Sequence, residues 1–394
     1  MRRVPIVPVA VLAALVGAAV ALAVGSGFGG RTETVVLPAA TTAGVPLPAS
    51  APLGARVGAF DAAGVYARRS AGVVTIFAYF GKAGAAGSQA SQGSGFVVDG
   101  SGTILTNSHV ITNAGEGAPV APADRLYVEF SDHDRLPARV VGWDVYDDVG
   151  VLRVDPKAHA LAPVPLGSSA RVVVGEPVAA IGSPFGNENS LAVGVVSAVR
   201  RSISSLTSDY QLVDAIQTDA PINHGNSGGP LFDARGDVIG ISAQIRTEAN
   251  GNADGVGFAV PIDSARRSMQ QLLAHGHVAY AYVGISSEDL TPTLARHFGY
   301  SVTRGAVVDS VRIGSPGARA GIRGGSHDVS VFDAPFTRGG DVVVAIGGRP
   351  VSGADDVVRI VSEHLLPGQT VTFTVVRGKR TLKLPVTLTA RPSS

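Results

Sequence analysis

Short apolar runs broken by glycine, aspartate and proline recur from Ala71 to the end of the chain. Val73–Phe80, Gly95–Val98, Thr103–Thr106, Leu126–Phe130, Ala138–Trp143 and Val149–Val154 are rich in β-branched residues and predict six strands. After a polar, proline-containing stretch, Pro177–Ile181, Val193–Val199, Ala215–Thr218, Pro230–Phe232, Val238–Ile245 and Gly257–Val260 predict six more. Strands this short and this evenly spaced predict a mainly β fold built from two closed six-stranded barrels. Ser264 to His275 has a helical pattern, with Asp263 in the capping position.

The first sixty residues obey a different pattern. Met1-Arg2-Arg3 precedes an apolar run from Val4 to Val24, which as a helix would span about 30 Å, a bilayer core. Residues 1–25 are therefore expected to be an uncleaved membrane anchor, with a signal peptide cut near Ala21-Leu22-Ala23 as the alternative. The leading arginines place the N-terminus in the cytoplasm and the rest outside. The expected location is thus a bacterial cell membrane, crossed once, with a secreted or periplasmic form if the signal is cleaved. Residues 26–60 are rich in Gly, Ala, Pro and Thr and predict a tether without a core.

Composition narrows the function less. The 394 residues allow two or three domains, and 45% hydrophobic content supplies their cores. A net charge of +1 gives no argument for a nucleic acid partner. The absence of cysteine excludes disulfides, thiol catalysis and cysteine-bound zinc. No metal or other cofactor is implied.

Candidate chemistry is concentrated in three places. Gly225-Asn226-Ser227-Gly228-Gly229-Pro230 exposes a hydroxyl on a sharp turn with no bulky neighbours. Gly225, Asn226 and Ser227 are assigned to an oxyanion hole, with the N–H groups of 225 and 227 converging on one point. His109 follows the strand Thr103–Thr106 and can act as base, and Asp148 of the Asp147-Asp148 pair can orient it. Taken singly, these are a tight turn, a surface histidine and two solvated carboxylates. Together and in order, each beside a strand end, His109, Asp148 and Ser227 read as the triad of a serine protease.

These segments also resemble the HtrA (Deg) family of proteases. The resemblance rests on Gln92-Gly93-Ser94-Gly95-Phe96-Val97-Val98, Ile104-Leu105-Thr106-Asn107-Ser108-His109-Val110 and Asp148-Val149-Gly150-Val151-Leu152-Arg153-Val154. Ile181-Gly182-Ser183-Pro184-Phe185-Gly186, Ile216 to Asn223 and Gly255 to Pro261 extend it, so that roughly residues 61 to 390 are covered. One departure stands beside the nucleophile: the family usually has proline where this chain has His224. The resemblance implies a trypsin-like protease domain over 61–277 with the site between antiparallel barrels, and a PDZ domain over 278–391. It also implies a homotrimer, with Phe77, Tyr79 and Phe80 as candidate contacts or, more simply, core residues.

Trypsin-like enzymes that cut after lysine or arginine carry aspartate six residues before the nucleophile. Here that position is Pro221, followed by Ile222, which suggests a pocket for small or medium aliphatic side chains. Ser242, Ala243 and Gln244 are expected to pair with an extended substrate backbone, which favours unfolded polypeptides. Tyr282-Val283-Gly284-Ile285 resembles the PDZ loop that holds a peptide's terminal carboxylate. Arg323 to Gly339 reads as an insertion forming an exposed hairpin or loop, without assigned function. The expected activity is endoproteolysis of misfolded exported proteins, regulated or anchored by the PDZ domain. A chaperone-like holdase and a processing enzyme with one substrate are the alternatives.

Overall fold

A computed structural model describes residues 60–81, 89–115, 119–183, 190–208, 210–223, 225–243, 255–331 and 333–392. The expected anchor, the tether, His224 and Gln244 lie outside the described residues. Among the described residues no helix is long and apolar enough to cross a membrane.

A short helix, α1 (Ala62–Arg69), is capped by Asp61, whose carboxylate accepts the Gly64 N–H at 2.8 Å. Six strands follow: β1 (Val73–Phe80), β2 (Gln89–Val97), β3 (Thr103–Thr106), β4 (Arg125–Glu129), β5 (Arg135–Asp144) and β6 (Val149–Arg153). A one-turn helix, α2 (Ser108–Ile111), leaves the end of β3 and carries His109. The strands close an antiparallel barrel in the order β1-β2-β3-β6-β5-β4. Val74, Ile76 and Ala78 alternate along β1 and fill its interior with Ile104, Val128 and Leu152, as a period of two requires.

A second closed barrel has the order β10-β11-β12-β9-β8-β7. Its strands are β7 (Pro177–Gly182), β8 (Ser190–Ser204), β9 (Gln211–Thr218), β10 (Pro230–Phe232), β11 (Val238–Ala243) and β12 (Gly257–Pro261). Val178, Val196, Ile216, Leu231 and Ile239 pack inside it. The largest cluster belongs to both barrels: Phe96, Leu105, Val149 and Val151 from the first meet Phe232, Ile241 and Phe258 from the second. That shared core fixes the cleft between barrels, because displacing either one would expose fully buried aromatic and aliphatic surface.

Helix α3 (Ile262–His275) closes this region. Its N-cap is Pro261, so the expected Asp263 cap is corrected. Chain leaving β12 enters the helix directly, and Asp263 sits in the first turn. There its carboxylate accepts bonds from Ser168 Oγ, Ser169 Oγ and the Ala170 N–H at 2.9–3.0 Å.

The remaining chain forms an open sheet with helices. Its strands are β13 (Ala281–Tyr282), β14 (Ile285–Leu290), β15 (Gly305–Val311), the hairpin β16 (His327–Val331) and β17 (Ala334–Arg338), β18 (Val342–Ile346), β19 (Arg349–Pro350), β20 (Thr370–Arg377), β21 (Arg380–Thr387) and β22 (Thr389–Ala390). Its helices are α4 (Pro292–Phe298), α5 (Pro316–Arg319) and α6 (Ala354–His364). The sheet order β14-β15-β18-β20-β21 leaves β14 at an edge. Val357, Ile360 and Val361 of α6 pack with Val308, Phe373 and Val375 of the sheet. The Arg323–Gly339 segment contains the β16–β17 hairpin, as its sequence suggested.

Polar contacts tie this unit to the barrels. Arg359 of α6 pairs with Asp214 of β9 at 2.6 Å. The Arg391 guanidinium lies over the rings of Tyr146, Tyr210 and Tyr280, at 4.7, 4.3 and 4.9 Å from their centroids. Tyr146 Oη also donates to Pro392 O.

Candidate active site

His109 and Asp148 are brought together by adjacent strands. Thr106 of β3 is paired with Gly150 of β6, which places the residues after β3 beside those before β6. Asp148 holds a left-handed backbone conformation, φ 51°, uncommon for aspartate and typical of functional turns. Its Oδ2 lies 2.8 Å from His109 Nδ1, while Oδ1 accepts from Ser108 Oγ at 2.7 Å and from the His109 N–H at 3.1 Å. The Asp148 carbonyl takes a fourth bond from Asn107 Nδ2. With both carboxylate oxygens engaged, the imidazole is held in one orientation.

The electrostatics follow from this packing. Burial works against the charged form of His109, but the facing Asp148 carboxylate outweighs it and raises the imidazole pKa above its ordinary value. Asp147 serves elsewhere: its Oδ2 pairs with Arg267 of α3 at 2.9 Å. Asp144, four residues before Asp148, is buried and pushed up to about 6 by burial and by the Asp147 charge, against bonds donated by Tyr280 and Ser268.

Ser227 stands on the turn before β10 and is buried. The turn lies directly on the chain leading to His109, since a Cβ at Gly228 would collide with Ser94 O and Thr106 Oγ1. Gly228 has φ +86°, so glycine is required there for both space and conformation. Ser227 Oγ makes no hydrogen bond among the described residues.

Asn226 is a correction to the oxyanion set: its N–H is spent on Asn223 O at 3.0 Å. Its side chain donates to Pro221 O at 3.3 Å, which buttresses the turn instead. Pro221 is exposed, while Ile222 is partly buried against Gly257 and the second barrel's core. Ser242 is corrected as a substrate-pairing edge, because its N–H donates to Gly229 O and its carbonyl accepts from Gly228, both at 2.8 Å. Ala243 is paired with Phe258 of β12.

In the C-terminal unit Tyr282 pairs with Thr389. The Val283 carbonyl accepts from the Gly317 N–H at 2.8 Å, and the Gly284 carbonyl from the Arg312 N–H at 2.9 Å and from Ser315 Oγ. In trans peptides with carbonyls held inward, the N–H groups of Gly284 and Ile285 face the opposite side, where a carboxylate could be received beside the β14 edge.

Sequence reasoning missed Ser108, Asn107 and Ser94 as working residues, although all three stood within quoted motifs. A hydroxyl or amide in a strand-end motif carries no sign of its partner. Among the described residues no cluster of side chains could hold a metal ion.

Residues 93–241 match the trypsin-like peptidase domain family, and residues 281–388 match the PDZ domain family. The chain is 36% identical over 305 residues to a putative serine protease, HhoA, of Synechocystis sp., covering 75% of this chain and 70% of that one. It is 37% identical over 302 residues to a probable periplasmic serine endoprotease of the DegP-like kind from Ectopseudomonas mendocina, covering 77% of this chain and 57% of that one. Its fold is similar to that of the HtrA-type protease AlgW solved with a tripeptide, at TM-score 0.69 and 31% identity, covering 84% of this chain and 98% of that one.

Proposed function

Because the chain belongs to the HtrA family of serine endopeptidases, we propose that Ser227 is its nucleophile, His109 its general base and acid, and Asp148 the group that holds the imidazole. His109 Nε2 takes the Ser227 proton as Oγ bonds to the scissile carbonyl carbon. The N–H groups of Gly225 and Ser227 receive the oxyanion. His109 then protonates the leaving amine, and water, deprotonated by His109, releases the acyl group. The observation that carries this reading is the 2.8 Å contact of Asp148 with His109 Nδ1, at the end of a chain whose Thr106 and Asn107 lie against the Ser227 turn.

Substrates are unfolded or misfolded exported polypeptides with small or medium aliphatic residues before the cut. Ile222 and the absence of a carboxylate at position 221 support that preference. The protein works on the extracytoplasmic side, as the periplasmic assignment of the DegP-like relatives supports, held by the apolar N-terminal run or released from it. The chain assembles as a homotrimer, in keeping with the family resemblance. The C-terminal unit takes peptide C-termini between the β14 edge and α6, and its contacts to β9 and the Asp148 loop support a regulatory role.

A denatured generic protein incubated with the purified protein tests the activity. Cleavage by wild type and none by Ser227→Ala is expected. The unbonded Ser227 Oγ favours one second reading, a holdase that captures chains without cutting them. Equal suppression of aggregation by wild type and Ser227→Ala, with no fragments from either, would establish that reading in place of the first.

A further inference from the structure

The peptide units around Ser227 are clamped one after another. The unit joining Gly225 and Asn226 is held at its carbonyl by Ser94 Oγ, 2.5 Å away, and at its N–H by Asn223 O. The unit joining Asn226 and Ser227 is held at its carbonyl by the Gly229 N–H. The unit joining Ser227 and Gly228 is held at its carbonyl by the Ser94 N–H, 2.8 Å away, and at its N–H by Ser242 O. Two of these clamps come from Ser94, a fully buried residue of β2 in the opposite barrel.

The Ser94 hydroxyl does two things at once. It donates to Gly225 O and accepts the Ser183 N–H at 2.9 Å, and Ser183 Oγ is bonded to Thr75 Oγ1 of β1 at 2.6 Å. The Ser94 carbonyl accepts from Thr106 Oγ1 at 2.7 Å. The site around it is built close. A Cβ at Gly182 would lie 3.0 Å from Ser94 Oγ, and one at Gly229 would lie 3.2 Å from Ser94 Cβ. Packing alone would be met by any side chain of this size. Strong simultaneous donation and acceptance at this size is met by a hydroxyl, whereas a thiol does both only weakly.

We propose that Ser94 is a positioning residue for the oxyanion hole: bonded to the carbonyls of Gly225 and Ser227, it clamps, across the barrel interface, the two peptide units that flank the one carrying the Ser227 N–H, and so fixes the direction of that donor. This rests on the reading of Ser227 as nucleophile. Truncation to alanine would leave Gly225 O and the Ser183 N–H without their partner. The Gly225–Asn226 unit would then keep only its Asn223 anchor and could tilt, which glycine's conformational latitude permits, turning the adjoining unit that carries the Ser227 N–H. The cost falls on the transition state, where the oxyanion exists, and spares ground-state binding.

The test compares wild type, Ser94→Ala, Ser94→Cys and Ser227→Ala on an unstructured chromogenic peptide, together with binding of a peptide boronic acid and of the cleaved peptide product. Losing one oxyanion donor outright costs roughly 10²–10³ in kcat, so misaiming is expected to cost about 10- to 100-fold. Ser94→Ala should lose that factor in both kcat and boronate affinity, with KM, product binding and the acid limb of the pH profile unchanged. Ser94→Cys keeps the shape but donates weakly, so it should fail to restore kcat, and it carries the comparison if the alanine variant does not fold. Full kcat in Ser94→Cys, or a lowered melting temperature with boronate affinity intact, would overturn the proposal and leave Ser94 a packing residue. Activity persisting in Ser227→Ala would instead overturn the assignment of the nucleophile.

Discussion

Replacing Asp148 by asparagine removes one charge and leaves the shape of the site. Asp148 Oδ2 lies 2.8 Å from His109 Nδ1, with side-chain exposures of 9% and 19%. At an effective dielectric of 20, unit charges separated by about 4 Å attract by about 4 kcal/mol, three tenfold steps in rate. That attraction is needed when the imidazole becomes charged in the transition state. The asparagine amide also favours the wrong tautomer, so kcat/KM should fall by roughly 10³- to 10⁴-fold. A second signature separates this from misfolding. Burial lowers the His109 pKa and Asp148 raises it more; without the carboxylate only the lowering remains, so the acid limb of kcat/KM should move to lower pH. Hydrolysis of a chromogenic peptide from pH 5 to 9 reads both effects. Asp147→Asn, which breaks the Arg267 pair instead, should leave the limb in place. Retention of more than a tenth of the activity in Asp148→Asn, or the larger loss in Asp147→Asn, would refute the assignment.

Three further outcomes follow from the packing. Asp144 titrates at 3.8 when unfolded and at about 6 when buried, so the folded state binds its proton more tightly; its contribution is complete below pH 4 and lost as pH rises through 6. Asp144→Asn should flatten that fall in denaturant midpoints measured between pH 4 and 7, and parallel curves would contradict the cause. Arg359→Ala should cost about 2 kcal/mol of interdomain stability, the scale of a hydrogen bond to a charged group, seen as faster amide exchange in α6; unchanged exchange would remove the Asp214 bond from the account. Gly228→Ala should lose more than about 2 kcal/mol, because a Cβ there meets Ser94 O at a positive φ, and an unaltered melting temperature would refute the crowding argument.

Barrel strands with alternating β-branched residues were legible in the sequence, as Val74, Ile76 and Ala78 of β1 illustrate. Strand ends were not. β2 begins at Gln89 and β8 runs on through Arg200 and Arg201, where polar residues are held by pairing with β1 and β9 and leave no apolar trace. The pairing of His109 with Asp148 could be read from motif order. The corrections at Asn226 and Ser242 could not, because each depends on which acceptor a backbone N–H finds, Asn223 O within the same turn for Asn226 and Gly229 O on the facing chain for Ser242. Ser94 stood in a quoted motif, yet its bond to Gly225 spans 131 residues, and no local pattern encodes such a partner.

The Arg391 cage over Tyr146, Tyr210 and Tyr280 has a consequence in time. Tyr146 sits two residues before Asp148, and its Pro392 partner is 246 positions further along the chain. At roughly 5–20 residues per second of synthesis, about 12–50 s separate the appearance of the two. Throughout that interval the barrels can close, since their pairings are complete by Pro261, but the loop bearing the aspartates lacks its cationic lid. The loop bearing the aspartates is therefore completed after the barrels, by a residue made long after the loop itself.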